Sequence, residues 1–151
     1  MCFKCDGMTD EEYFRQVEQH LNTHGWMVNH VEDDGDRNPS FAYTLGLSLH
    51  GHPELIIFDC PPYPAYRALE PLALAVLAGR RFDEGDDVND LYAGRPQLLR
   101  LPDSSTHLFM ANDLFRGPGE PPVPALQLVW PTPLRPLAEL LELPSRDGDA
   151  R

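Results

Sequence analysis

The chain has 151 residues, 42% of them hydrophobic and 24% charged, enough for one globular domain with its own core. At this length folding buries roughly 68–70% of the surface an unfolded chain exposes, so neither a disulfide nor a metal is required for stability. Twelve Lys and Arg face 24 Asp and Glu, a net charge of −12, which argues against the basic surface a nucleic-acid binder needs. The acid excess either serves solubility or steers the chain toward a basic protein partner. The longest apolar run, residues 72–78, falls far short of the roughly 20 residues that cross a bilayer. The start, Met1-Cys2-Phe3-Lys4-Cys5-Asp6-Gly7, has no apolar signal-like stretch. With three cysteines, too few for a disulfide scaffold, it predicts a cytoplasmic protein.

Thr9-Asp10-Glu11-Glu12 has the form of a capping box, and Tyr13, Phe14, Val17 and Leu21 recur at helical spacing up to Gly25. A helix is predicted over 9–24. Residues 26–31 read as a strand, closed by the turn material Asp33-Asp34-Gly35-Asp36. A second strand is expected over 40–49. The corner His50-Gly51-His52-Pro53 then leads into a third over 54–59, the two forming an antiparallel hairpin. Leu55-Ile56-Ile57-Phe58 is apolar on both faces, which predicts a central, covered strand. Cys60 reads as a small buried hydrophobe.

A second helix is expected from Pro64, with Leu69, Leu72, Ala73 and Val76 as its stripe and Gly79 as its end. Pro71 inside it should kink or restart it. Residues 82–95 are acidic and turn-like. Residues 97–101 and 107–110 suggest short strands, and 111–116 one helical turn. Seven of the sixteen prolines lie in 117–136, and they predict an edge position for the strand Leu126-Gln127-Leu128-Val129-Trp130. Leu137, Leu140 and Leu141 suggest a closing helix, and 145–151 a disordered tail. The expected fold is a single α+β domain over 1–144, an antiparallel sheet covered on one face by two main helices.

Several phrases in order resemble the bacterial family known as domain of unknown function 4262. They are Cys2-x-x-Cys5, His24-Gly25-Trp26 leading to Val31, Ala42-Tyr43-Thr44-Leu45-Gly46-Leu47, Gly51-His52-Pro53-Glu54-Leu55, and Leu126-Gln127-Leu128-Val129-Trp130-Pro131. They span about residues 2–131. The resemblance implies no activity and no catalytic residues, because none is assigned to the family.

Cys2, Cys5, His20 and His24 have a Cys-x2-Cys-x14-His-x3-His spacing that fits a zinc site, and histidines four apart share one helix face. Distance opposes it: from Thr9, His20 is about 16 Å and His24 about 22 Å along the axis. The linker from Cys5 to Thr9 spans at most about 14 Å. Three readings of the pair stay open: metal bound with other ligands, a redox or reactive thiol pair, or no role. His50-x-His52-x-Glu54 is a second candidate metal or catalytic set, since alternate residues of an extended chain share a face. Polar residues are expected at a hairpin corner in any case. Tyr43, Gly46 and Trp130 are either core or the lining of a ligand pocket. A strand, the strand opened by Pro53-Glu54-Leu55 and then a helix is loosely the order of small flavin-binding split barrels.

No dinucleotide glycine loop, phosphate-binding loop or nucleophile elbow is present, and the acidic stretches fail as calcium loops. The preferred expectation is a small soluble binding or regulatory domain with an N-terminal metal (zinc) or thiol site. The alternatives are a small enzyme with a metal or flavin pocket near His50, His52 and Glu54, taking a small-molecule ligand, and an acidic protein that neutralises a basic partner.

Overall fold

The computed structural model describes residues 9–33 and 39–130, one five-stranded, mostly antiparallel sheet with three α-helices. Helix α1 (Asp10–His24) begins as predicted. The Thr9 hydroxyl accepts from the Glu12 N–H at 3.1 Å, and the Glu12 carboxylate accepts from the Thr9 N–H at 3.0 Å. These bonds satisfy two of the amides a helix start leaves free. Gly25 ends the helix at φ +86°, a left-handed conformation that glycine reaches without strain, its N–H bonded to Leu21 O at 2.8 Å.

Strand β1 (Met27–Val31) pairs antiparallel with β2 (Phe41–Leu45), and β2 pairs antiparallel with β3 (Glu54–Phe58), so the expected hairpin forms. Residues 47–49, expected to prolong the second strand, wind instead into the 3-10 turn Leu47–His50. Helix α2 (Pro62–Leu77) runs unbroken through Pro71, so that proline does not restart it. Strand β4 (Gln97–Arg100) is as predicted.

Residues 107–110 are not a strand: the 3-10 turn Ser104–Thr106 leads into helix α3 (Phe109–Phe115). Local polar groups decide this. Asp103 accepts from the Ser105 N–H at 3.0 Å, and the Asn112 amide donates to Ser104 Oγ at 3.1 Å and Leu108 O at 2.9 Å.

Strand β5 (Ala125–Val129) is an inner strand, not an edge, in the order β1-β2-β3-β5-β4. It pairs parallel with β3 and antiparallel with β4. Its prolines flank it, so none removes an N–H from 125–129, and Pro124 O itself accepts from the Glu54 N–H at 3.0 Å.

The α+β class holds, while the covering of the sheet differs from one face under two helices. Tyr13, Val17 and Leu21 of α1 cluster with Phe41, Tyr43, Leu45 and Ile56 and with α3. The α2 residues Leu69, Leu72, Ala73 and Val76 cluster with Ala42, Leu55, Ile57 and Leu126. Odd and even positions of β2 thus serve opposite faces, which places α1 and α2 on opposite sides of the sheet. The continuous apolar run of β3 is what this requires, and β3 is the central strand with both faces buried. Each such Leu or Ile contributes about 1.5–3 kcal/mol of burial. Among the described residues no helix is long and apolar enough to cross a membrane. Cys2, Cys5, the proposed closing helix and the tail lie outside the described residues.

Candidate functional site

The end of the sheet where β2 passes to β3 gathers several polar groups. Gly46 leaves β2 at φ +120°, and a Cβ there would stand 2.5 Å from Gly25 O, so only glycine fits. A close approach of two backbones is therefore what requires glycine here. The turn that follows aims its amides at Glu54. The Glu54 carboxylate accepts from the N–H groups of Gly46, Leu47 and Ser48 at 3.2, 3.3 and 2.9 Å, and from the hydroxyls of Thr44 and Ser48 at 2.7 Å each. Thr44 Oγ1 in turn accepts from the Leu55 N–H at 2.9 Å, which fixes the direction of its own proton. Glu54 is fully buried, and that burial pushes its carboxyl above the ordinary value, against the pull of the Ser48, Thr44 and Gly46 donors. The carboxyl group is seated in consecutive backbone amides.

The structure does not bring His50, His52 and Glu54 together as a metal set. His50 is exposed, with its carbonyl accepting from Arg81 at 2.9 Å. His52 is buried and spends both ring nitrogens, on Pro53 O at 2.8 Å and on the Phe82 amide at 2.9 Å. The Glu54 oxygens face the turn. The extended alternation on which the triad depended is absent, since a 3-10 turn holds His50. Among the described residues no group of three or more His, Cys, Asp or Glu could hold a metal ion.

Beside this turn opens a cavity of about 430 Å³, lined by Ser48 and His52 on one side and by Phe115, Arg116, Glu120 and Val123 on the other. The sequence offered no sign of Arg81, Phe82 or Arg116 here, because the contacts that assemble them span tens of residues. Tyr43, Gly46 and Trp130 do not share a pocket. The Tyr43 oxygen accepts from Asn29 Nδ2 at 2.9 Å and the Met110 N–H at 3.0 Å within the α1 core, where burial pushes the phenol up to about 12. Trp130 packs with the other core. It donates to Ala93 O at 2.9 Å and stands edge-on to Tyr92. Cys60 is buried as expected, and burial raises its thiol to about 11, well away from a reactive thiolate.

On α1, His20 and His24 lie side by side, their ring centroids 4.4 Å apart. His20 is half-buried and His24 exposed. Burial first, and then the neighbouring His24, lowers the His20 pKa below its ordinary value.

Fold and geometry together define a small α+β domain built around a buried glutamate, with an imidazole pair on its first helix. The chain belongs to the family described as Domain of unknown function (DUF4262), whose model matches residues 20–135. That span takes in four of the five phrases on which the resemblance was drawn and leaves Cys2-x-x-Cys5 outside it. Neither the curated proteins nor the solved structures contain a significant match to the chain.

Proposed function

We propose that the chain is a small binding or regulatory domain in which Cys2 and Cys5 join His20 and His24 in a zinc site. The observation that carries this reading is the pairing of the two imidazoles on one face of α1, 4.4 Å between centroids, on the helix that directly follows the cysteines. Two thiolates and two imidazoles are a closed tetrahedral donor set for zinc. Reach is sufficient on the Cys2 side. The seven residues from Cys2 to Thr9 extend to about 23–25 Å, against about 16 Å along the helix from Thr9 to His20 and about 22 Å to His24. Helical side chains lean toward the N-terminus, which brings the imidazoles closer to those thiols. Cys5 is the tighter ligand: its four-residue linker reaches at most about 14 Å, so the Cys5 and imidazole side chains must span the distance that remains.

Such a site would tie the start of the chain down onto α1, the kind of structural or sensing role open to a domain with a thiol-based metal centre. Elemental analysis of the purified full chain tests it. One zinc per chain is expected, lost in the Cys2→Ser/Cys5→Ser double variant and reduced in His20→Ala. A full equivalent of zinc retained by the double cysteine variant would overturn the assignment.

A further inference from the structure

His52 is 3% exposed, and its two ring nitrogens are spent on neighbours of fixed character. The Phe82 amide can only donate, so Nε2 must accept at 2.9 Å, and Nδ1 must carry the proton given to Pro53 O at 2.8 Å. That assignment is the neutral ring. A second proton would sit on Nε2 and face the Phe82 N–H directly, with no room for water between them.

The segment held by this bond is anchored around it. Phe82 is buried, with its ring edge-on to His52 at 6.1 Å and the Arg80 guanidinium over its face at 4.9 Å. Arg81 donates to His50 O and Gly51 O at 2.9 and 2.5 Å. The chain then turns through residues 83–86 against the outer edge of β4. There the Gly85 N–H reaches Leu98 O at 3.0 Å, Glu84 accepts from the Arg100 N–H at 3.1 Å, and Asp83 pairs with the Arg100 guanidinium at 2.6 Å. The turn guards an edge that would otherwise offer free backbone groups to another strand.

We propose that His52 is a proton-operated latch: neutral, it fastens residues 80–86 to the sheet; doubly protonated, it releases them and uncovers the β4 edge. The charges around it have defined signs. Arg81 opposes protonation and Asp83 favours it. Glu54, on the strand that follows, has its oxygens filled by five donors; His50 is exposed, and Arg116 and Glu120 line the far side of the adjoining cavity. Burial is the largest effect, and it holds the ring neutral to below the ordinary 6.5. Once the segment opens, the ring takes its proton near 6.5. Opening therefore binds a proton as pH falls below that value, and its equilibrium constant rises by up to about tenfold per pH unit.

Hydrogen–deuterium exchange of the full chain at about pH 7.5 and about pH 5.5, corrected for the intrinsic exchange rate, reads this directly. Protection of residues 80–86 should fall about tenfold relative to β2 and β3. In His52→Gln, whose side-chain oxygen accepts without titrating, that response should vanish. Three results would overturn the latch: unchanged protection of 80–86, an equal fall in β2 and β3, or the same pH response in His52→Gln. Should the variant fail to fold, the wild-type chain decides by NMR. The Phe82 amide shift must follow the His52 ring titration, and a ring that titrates without moving that amide refutes the proposal.

Discussion

Five donors converge on the Glu54 carboxylate, three of them backbone amides of one turn, and the residue has no exposed surface. Removing the carboxylate strands those donors away from water, which makes Glu54→Ala destabilising by about 3–5 kcal/mol. Glu54→Gln keeps one acceptor but turns an amide N–H toward Ser48, and should cost about 1–3 kcal/mol. The pH dependence has a definite sign. Burial raises the folded pKa above the ordinary 4.5, so the folded state holds its proton more tightly than the unfolded one. Stability from this group is greatest below 4.5 and is lost as pH rises through the folded value. The stability gap between wild type and Glu54→Gln should thus be wider near pH 4.5 than at neutral pH, as urea unfolding at both can measure. A gap that widens toward neutral pH would show the carboxylate favoured as the anion. The sequence marked Glu54 as one of three alternating polar residues. It could not show that the preceding residues curl into a 3-10 turn, which converts a candidate ligand into an anchor for amides.

At the scale of elements, whatever is written in local contacts was readable. The Thr9/Glu12 box, the Gly25 stop and the doubly apolar run of β3 each depend on residues within a few positions of one another, and each is in place. What depends on distant partners was not. Flanking prolines made β5 look like an edge, because proline placement reports only which amides are lost, whereas its neighbours β3 and β4 come from residues 54–58 and 97–100. Likewise the stripes of α1 and α2 mark a buried side but not which sheet face receives it. Pro71 is the instructive case within a helix. It stands in the interior of α2, where it lacks the N–H that would bond Arg67 O, yet the helix continues. Packing of Leu69, Leu72, Ala73 and Val76 against the sheet outweighs the local penalty. Pro71→Ala restores the missing bond and should raise stability by about 1–3 kcal/mol, seen as a higher urea midpoint with an unchanged slope. No gain would mean that the helix is already relaxed around the ring.

Across the whole molecule, a charge of −12 on 151 residues makes self-repulsion a general force against compactness. It is concentrated where Asp83, Glu84, Asp86, Asp87 and Asp90 crowd the segment before β4, all exposed, with Arg100 on Asp83 and Arg80 on Asp90 as ion pairs there. Screening shortens the range of such repulsion to about 10 Å at 0.1 M salt and about 3 Å at 1 M, and it weakens the two exposed pairs as well. With twice as many acids as bases, repulsion dominates the sum, so sodium chloride should stabilise the fold. Each kcal/mol gained moves the midpoint of thermal unfolding by about 2–4 °C for a chain of this size. Capture of a basic protein partner has the opposite dependence, because there the acids contribute attraction that salt removes. The two measurements separate the roles of the same charges. A midpoint that rises with salt while basic-partner capture falls identifies a surface held at a stability cost for recognition, whereas a rising midpoint with no salt-sensitive capture leaves the acids as a solubilising coat. A midpoint that falls with salt would place the balance with the ion pairs instead.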